Sequence, residues 1–321
     1  MEKEFGTNYY IGETNRMKKF FIDVRGGLGY NLSLVRVIQS LPKSDYSVKV
    51  MSPYWDIFAA AGIDYYKPEE AKDFIFDAFE EGAEIIEHRL YDMSDFIYKK
   101  LNYRDAWCKL LNVPEVSEED YDKLDLNPEK AFPQLTKSVE DILSKIKDKF
   151  ILVQFAGGQS PLDLPQDGDW TKKPYDYENE PLKRHYPIDK AQKFVDEFKK
   201  ANPDVAVIQY ALPNEPQIDK CEHFVVPYLV YYTLSKSDRC LGAFTIDSSL
   251  AHLITGNTKV MTVWGHSLPE HFGYCCNKNV VQKCRRNDTL YFSLLGPSGA
   301  KIDYIEPEVA VKDFVEYIKE V

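Results

Sequence analysis

The feature that most constrains the fold of this chain is a repeated alternation of short apolar segments with amphipathic ones. In the first half, KKFFIDV precedes the helical pattern LSLVRVIQSL, and YSVKVMS precedes YWDIFAAAG, which ends at Gly62. In the second half, helical patterns separate the apolar segments FILVQFAGG, VAVIQYAL, RCLGAFTI and KVMTVWG. Short, β-branched apolar strands that alternate with helices are typical of parallel sheets covered on both faces. The sequence therefore predicts an α/β protein with two Rossmann-like domains.

The domain boundaries follow from the connector between the two series. At 321 residues the chain is too long for one ordinary core. An acidic, proline-punctuated stretch, PEVSEEDYDKLDLNPEKAFPQ, leads into an amphipathic helix, LTKSVEDILSKIKDK. We predict an N-terminal domain over residues 1–145, a C-terminal domain over 146–305, and a final helix over 306–321 that packs back toward the N-terminal domain. DFIFDAF and AEIIEH are predicted to be further short strands of the first domain.

Composition and charge exclude several classes of protein. A formal net charge of −11 argues against binding nucleic acid through a general electrostatic field. The apolar runs fall short of the roughly 18 residues that a membrane span needs, and the N-terminus does not resemble a signal peptide. We therefore expect a soluble, cytoplasmic protein without a transmembrane segment. The sequence also lacks the motifs of serine hydrolases, zincins and P-loop kinases.

Four polar or glycine-rich turns follow predicted strands: RGGLG, FAGG, IDSS and VWGHS. Ligands of doubly wound sheets bind outside the carboxyl ends of the strands, so all four turns are predicted to face one cleft. Glycine lets the backbone turn tightly and approach a ligand, which makes Gly27, Gly29 and Gly158 candidate ligand contacts. The structural alternative is a tight turn between strand and helix with no ligand.

The stretch TIDSSLAHL is the most informative of these turns. Asp and Ser are favoured at a helix N-terminus because their side chains accept hydrogen bonds from unpaired amides. The same amides and the positive end of the helix dipole favour phosphate, so Asp247, Ser248, Ser249 and Leu250 are candidate donor-site residues. Both interpretations remain open. His252, five residues after Asp247, faces either the ligand or the core.

Two further loops carry charged or polar side chains. Lys183 and Arg184 precede a predicted helix, where a guanidinium and a helix start would favour the same anion, although exposed charges are often only solvated. His266 and Ser267 lie in VWGHSLPEHFGY, which is either an ordinary structured loop or a lid over a bound donor.

Cys275, Cys276 and Cys284 form a cluster with CC-x7-C spacing. Zinc sites usually have two CxxC-like pairs, so ordinary reduced thiols are the favoured interpretation and a metal site the minor one.

Taken in order, these segments resemble glycosyltransferase family 9, the ADP-heptose:lipopolysaccharide heptosyltransferase-like enzymes. RGGLGY resembles the family's G-x-[LM]-G-D turn, and the segment from Arg184 to Pro187 resembles K-x-W-P. The segment from Asp247 to His252 resembles D-[ST]-G-x-x-H, and the segment from Trp264 to Pro269 resembles F-G-x-T-x-P. The resemblance runs from about residue 18 to the C-terminus and is strongest over 184–274.

This resemblance implies a GT-B fold, in which two Rossmann-like domains face a central cleft and the C-terminal one holds a nucleotide sugar. It implies a metal-independent, inverting transferase without a cofactor, whose acceptor is an unknown glycan, lipid-linked or other hydroxyl. Arg184 matches the phosphate-binding lysine, and Ser248, Ser249 and Leu250 match the amides that hold the diphosphate. Asp247 matches the acidic position beside the donor.

One departure concerns the catalytic base. Tyr30 occupies the position of the family's basic aspartate, and a tyrosine with an ordinary pKa near 10 is a poor base at neutral pH. Asp23, Glu87 and Asp92 are alternative carboxylates, and the sequence does not choose among them. We carry Asp23, Tyr30 and Asp247 as candidate catalytic residues.

A glycosyltransferase is therefore the leading prediction. The alternatives are another GT-B enzyme, such as a nucleotide-sugar epimerase, and a catalytically silent nucleotide- or glycan-binding protein, which Tyr30 favours.

Overall fold

The computed structural model describes residues 17–87, 89–99, 101–146, 148–157, 185–265, 267–286, 289–290 and 301–320. Two parallel sheets form its framework, one in each half of the chain, as the alternating pattern predicts.

The N-terminal domain is built on a four-stranded parallel sheet with the order β3-β2-β1-β4. Its strands and principal helices are β1 (Lys18–Asp23), α1 (Leu28–Ser40), β2 (Tyr46–Met51), α2 (Trp55–Ala61), β3 (Asp64–Tyr66), α3 (Ala71–Glu80) and β4 (Glu84–Glu87). Gly62 ends α2 in the left-handed conformation with φ of 67°, which only glycine adopts without strain.

A helical segment leads from the first sheet to the second. It comprises α4 (Ser94–Lys99), α5 (Tyr103–Leu111), α6 (Glu118–Asp122), α7 (Pro128–Ala131) and α8 (Gln134–Lys145). Side chains cap three of these helices: Asn102 accepts from the Arg104 amide, Ser117 from the Asp120 amide and Asn127 from the Lys130 amide. The predicted connector therefore contains short capped helices.

The C-terminal domain is built on a six-stranded parallel sheet with the order β10-β9-β8-β5-β6-β7. Its elements are β5 (Phe150–Val153), α9 (Ile188–Ala201), β6 (Ala206–Gln209), β7 (Glu222–His223), α10 (Tyr228–Ser235), β8 (Cys240–Ile246), α11 (Ser249–Ile254), β9 (Val260–Trp264), α12 (Pro269–Phe272) and β10 (Lys278–Val281). The central strands β5 and β9 are buried along their whole length, which explains their continuous apolar sequences.

The chain ends with a small antiparallel sheet and a helix. The sheet has the order β12-β11-β13 and contains β11 (Lys283–Arg286), β12 (Thr289–Leu290) and β13 (Lys301–Asp303). The helix is α13 (Pro307–Lys319), and its Phe314 packs among Phe194, Phe198 and Phe244 of the C-terminal domain. The prediction that this helix packs toward the N-terminal domain is wrong, because its apolar stripe is buried against α9 and β8.

A second prediction also fails. DFIFDAF is not a strand but most of α3, because Phe74 and Ala78, one helical turn apart, pack against Phe21 and Met51 of the first sheet. A short apolar run cannot be assigned by periodicity alone. AEIIEH does contain a strand, β4.

The largest hydrophobic cluster includes residues of both domains. Val24 and Leu32 belong to it together with Leu152, Leu253 and Trp264. The two sheets are therefore joined by a common apolar interior rather than by a polar linker alone. None of the described helices is both long enough and apolar enough to span a membrane.

Candidate functional site

The glycine-rich turn joins β1 to α1 at the carboxyl edge of the first sheet. Gly27 precedes α1 in an extended conformation, and no side chain caps the helix there. The Asn31 amide group donates to the carbonyls of Gly26 and Gly27 at 2.8 and 3.0 Å, and its oxygen accepts from Ser52 at 2.7 Å. Asn31 and Ser52 are buried, so this network fixes the turn with the start of α1 directed at the second domain.

Asp247 follows β8 at the carboxyl edge of the second sheet and is buried. Its Oδ2 accepts a hydrogen bond from the Ser267 hydroxyl, and its Oδ1 lies 3.9 Å from Nε2 of His252. Two predicted site residues, Ser267 and His252, therefore contact the Asp247 carboxylate from the turn after β9 and from α11.

His252 is held on its other side by Tyr274, which is not among the predicted site residues. Its Nδ1 lies 2.9 Å from the Tyr274 hydroxyl, and both side chains are buried. The ring also packs against the N-terminal domain, since a β-carbon at Gly29 would lie 2.5 Å from its Cδ2. The structure thus joins the two predicted halves of the site at Gly29 and His252.

Gln154, which follows β5, organises the start of α11. Its Nε2 donates to the Ser248 hydroxyl at 3.0 Å, and its Oε1 accepts from the Leu250 amide at 3.1 Å. The Leu250 amide, a predicted phosphate ligand, is therefore bonded to Gln154 in this structure. The sequence signal for Gln154 was a polar residue directly after the fully apolar strand FILV.

Tyr210 and Glu215 lie beyond β6, next to the same helix start. The Tyr210 side chain interacts with the side chains of Ser249 and Glu215. Glu215 is 5% exposed and accepts from the Leu212 amide at 2.8 Å. Burial raises the pKa of Glu215 to about 7. Glu215 could not be predicted from the sequence, because its proline-flanked loop gives no sign that the carboxylate is buried.

Tyr30 is buried in an aromatic cluster. The centroid of its ring lies 6.0 Å from that of Tyr91, 5.5 Å from that of Tyr103 and 4.9 Å from that of Trp107. Burial raises the pKa of the Tyr30 hydroxyl, which is therefore protonated at neutral pH. Tyr30 also requires glycine at position 26, because a β-carbon there would lie 2.5 Å from the Tyr30 ring. These contacts assign Tyr30 a packing role in the glycine turn.

Asp23 and Glu87 are register partners at the carboxyl ends of β1 and β4. Asp23 accepts from Arg25 through both carboxylate oxygens, at 2.7 to 3.1 Å, and its side chain is 14% exposed. Glu87 accepts from Arg89 and is 62% exposed. Asp92, the third candidate, is exposed and acts electrostatically on Arg89. The structure thus brings the three candidate bases to one edge of the N-terminal sheet.

Arg36 of α1 connects the two domains beneath the site. Its guanidinium donates to the carbonyls of His252 and Thr255 at 2.8 and 3.0 Å, and to those of Tyr121 and Asp122 at 3.1 and 2.7 Å. It also lies 4.6 Å from the centroid of the Tyr274 ring. The side chain is fully buried, so it fixes α11 against the N-terminal domain.

A second polar contact crosses the domain boundary beside Tyr210. The Tyr228 hydroxyl at the start of α10 donates to the Asp56 carboxylate of α2. Burial raises the pKa of Asp56 above its ordinary value.

The adjacent cysteines lie at the domain boundary. The Cys275 thiol donates to Oδ2 of Asp122 at 2.9 Å, and the Cys276 amide donates to the same oxygen at 2.8 Å. The neighbouring carboxylate raises the pKa of Cys275 to about 11, and partial desolvation of the thiol together with the Asp122 charge raises the pKa of Cys276 to about 12, although Cys276 as a whole residue is exposed. Both thiols are therefore protonated at neutral pH. The side chain of Cys284 lies outside the described part of the structure.

Three predicted donor-site residues, Gly158, Arg184 and His266, lie outside the described residues. The described chain resumes at His185, and the Tyr186 amide donates to the Phe155 carbonyl at 2.7 Å. Tyr186 is buried and donates its hydroxyl to the Ile305 carbonyl at 2.7 Å. Gly27 is described, and a β-carbon there would meet no atom within 4 Å.

Comparison with known proteins gives matches among solved structures. No protein-family model matches the sequence, and no curated protein gives a significant match. The crystal structure of a glycosyl transferase of family 9 from Veillonella parvula DSM 2008 superposes with a TM-score of 0.58 at 12% identity, over 84% of this chain and 87% of that one.

Two Escherichia coli proteins resemble the chain over most of its length. ADP-heptose LPS heptosyltransferase II gives a TM-score of 0.53 at 12% identity, over 94% of this chain and 98% of that one. Heptosyltransferase WaaC with ADP gives a TM-score of 0.50 at 11% identity, over 94% of this chain and 99% of that one. The chain therefore has the GT-B fold of these enzymes, and the resemblance inferred from the motifs is confirmed at the level of the fold.

Proposed function

We propose that this protein is a metal-independent, inverting glycosyltransferase that moves a sugar from a nucleotide-diphosphate sugar to an acceptor hydroxyl. One observation carries the proposal: in a GT-B fold, the motif residues Asp247, Ser248 and Ser249 lie at the carboxyl end of β8 and lead into α11, whose His252 packs on Gly29 of the glycine turn in the other domain. Fold likeness alone does not specify an activity, so the site carries this conclusion.

The donor would lie along the carboxyl edge of the second sheet. The start of α11 presents polar groups fixed by Gln154, and Glu215 presents a buried carboxylate that interacts with Tyr210, as does Ser249. A carboxylate at this depth accepts hydrogen bonds from hydroxyls, which suits a ribose or sugar diol. Arg184 stays the predicted phosphate-binding cation. It would offset the charge that develops on the leaving diphosphate, and removing one such donor lowers rates about 10²–10³-fold.

The acceptor would enter from the N-terminal domain. Transfer with inversion requires a base that takes the proton of the acceptor hydroxyl as its oxygen attacks the anomeric carbon. Tyr30 is unsuited because its hydroxyl is buried and its pKa is raised. We assign the role to Asp23, whose carboxylate follows β1 directly before the glycine turn and is more enclosed than that of Glu87.

The test is thermal unfolding of the purified protein with UDP, GDP, ADP, CMP and dTDP. A ligand at about 100 times its dissociation constant adds roughly 2.7 kcal/mol to the free energy of unfolding. We expect one nucleotide to raise the Tm of the wild type, with the shift lost in Arg184→Ala and in Glu215→Ala. A protein that none of the nucleotides stabilises would contradict the proposed donor site.

Tyr30 specifically favours a second candidate, a silent nucleotide- or glycan-binding protein, because no carboxylate replaces the family aspartate at that position. The two candidates differ in turnover. Incubation of the stabilising nucleotide's sugar conjugate with candidate acceptors yields product and free nucleotide for a transferase, and neither for a binding protein.

A further inference from the structure

Helix α3 carries an apolar surface on the side that faces away from its own sheet. Phe74 and Ala78 are buried against the first sheet, whereas Ile75, Phe76 and Phe79 are 55%, 61% and 87% exposed. Three large apolar side chains side by side on one helix form the kind of exposed patch that marks an interaction site in soluble proteins.

Side chains of opposite charge lie at the two ends of this patch along the helix. Lys72, Phe76 and Glu80 are spaced by four residues, so they form one stripe on the outward side. With a rise of about 1.5 Å per residue, Lys72 and Glu80 lie about 6 Å before and after Phe76. Within the described ranges, neither Lys72 nor Glu80 makes an ion pair.

We propose that the α3 patch, defined as Lys72, Ile75, Phe76, Phe79 and Glu80, binds a second copy of this chain in an antiparallel, two-fold symmetric contact centred on Phe76. A two-fold interface pairs residue i with residue j and j with i. Centring it on Phe76 places Lys72 opposite Glu80 of the partner subunit, and the symmetry repeats this pair. A parallel arrangement would instead oppose like charges.

Two other modes of association fit these observations less well: pairing of the β4 edges of two copies, and binding to an anionic lipid surface. The exposed strand β4 adjoins the patch through Ile85, but Glu84 and Glu87 are exposed at its two ends. Antiparallel pairing of two copies along this edge would oppose these carboxylates, so the edge is protected against such pairing. An anionic lipid surface is disfavoured by the net charge of −11 and by Asp73 and Glu80 on the same helix.

Sedimentation velocity of the full chain over a wide range of concentrations tests this contact. We expect a concentration-dependent dimer for the wild type and a dissociation constant raised at least about tenfold by Phe76→Ser. Val225→Ser is the matched control, because Val225 is 82% exposed in the other domain and its replacement should leave association unchanged. Circular dichroism verifies that both variants fold.

A charge exchange tests the antiparallel geometry itself. Lys72→Glu and Glu80→Lys should each weaken the dimer about tenfold, since each creates two like-charge contacts. The double variant should restore wild-type association, because its exchanged charges again face each other. A monomer at all concentrations, a dimer insensitive to Phe76→Ser, or failure of the double variant to restore association would overturn the proposal. Phe76-dependent sedimentation of a monomer with phosphatidylglycerol vesicles would overturn it in favour of lipid.

Discussion

Gly29 of the N-terminal domain packs directly on the imidazole of His252 in the C-terminal domain. A β-carbon at position 29 would lie 2.5 Å from Cδ2 and 3.0 Å from Nε2 of that ring, closer than real contacts allow. The glycine turn and the helix after Asp247 therefore meet at Gly29 without space for any side chain.

Gly29→Ala should separate these two elements. We expect a loss of about 1–3 kcal/mol in the free energy of unfolding, because the surrounding core is packed and cannot absorb a methyl group. Gly27→Ala is the matched control, since a methyl group there faces open space and changes only the helix cap, by less than about 1 kcal/mol. Denaturant titration measures both. Equal losses in the two variants would contradict the contact.

Tyr274→Phe should change the proton position on His252. The hydroxyl 2.9 Å from Nδ1 fixes this nitrogen, while Nε2 faces Asp247. The variant keeps the ring that stacks on Tyr121 and lies under Arg36, but it leaves a buried imidazole nitrogen without its partner. We expect a loss of about 1–3 kcal/mol in stability. Long-range proton–nitrogen NMR spectra should show a changed tautomer population for His252, and an unchanged spectrum would show that Tyr274 does not control it.

Asp23→Asn should lower kcat about 10²–10⁴-fold, the usual contribution of a general base. Glu87→Gln provides a matched comparison, because Glu87 is the register partner of Asp23 and is likewise bonded to an arginine. We expect the Glu87→Gln variant to retain most of the wild-type activity, since the Glu87 carboxylate is far more exposed than that of Asp23. Transfer assays on both variants decide the assignment. A larger loss of kcat in Glu87→Gln than in Asp23→Asn would assign the base to Glu87 on β4 instead.

Glu215 should make stability depend on pH. Burial raises its pKa from 4.5 to about 7 in the folded protein. The unfolded chain therefore loses this proton first as the pH rises, and the folded state loses relative stability between about pH 4.5 and 7. The shift corresponds to about 3 kcal/mol as an order of magnitude. Below about pH 4.5 both states are protonated, and the contribution is fully present.

The measurement for Glu215 is the difference in unfolding free energy between the wild type and Glu215→Gln as a function of pH. The glutamine cannot ionise, so the wild type should lose stability relative to the variant across this window. A constant difference would show that the carboxylate is not desolvated.

The alternating pattern was sufficient to predict both parallel sheets and the turns at their carboxyl ends, because strand burial on two faces dictates continuous apolar segments. The approach of RGGLG to the helix that follows IDSS, seen at Gly29 and His252, is consistent with the predicted convergence of these turns. Local pattern did not decide the structure of DFIFDAF, where Phe74 and Ala78 pack as a helix, or the packing of the final helix around Phe314.

The side chains that support the site were less predictable. Gln154, Tyr274 and Glu215 act through partners 94, 22 and 3 residues away in the chain. None of the three was predicted to be a site residue, because their importance comes from burial, which only the tertiary structure creates. Tyr30 shows the reverse: a motif position drew attention to it, but its surroundings make it a packing residue.

The burial of Arg36 also bears on how the molecule unfolds. The Arg36 guanidinium is hydrogen-bonded to the carbonyls of Tyr121 and Asp122 on one side and of His252 and Thr255 on the other. If the two halves separate, it loses the His252 and Thr255 carbonyls, and a buried charge that loses hydrogen bonds is costly. Because the apolar interior is shared as well, we expect that neither half folds independently. The chain is expected to melt in a single cooperative transition, and neither half is expected to remain folded after cleavage between the sheets.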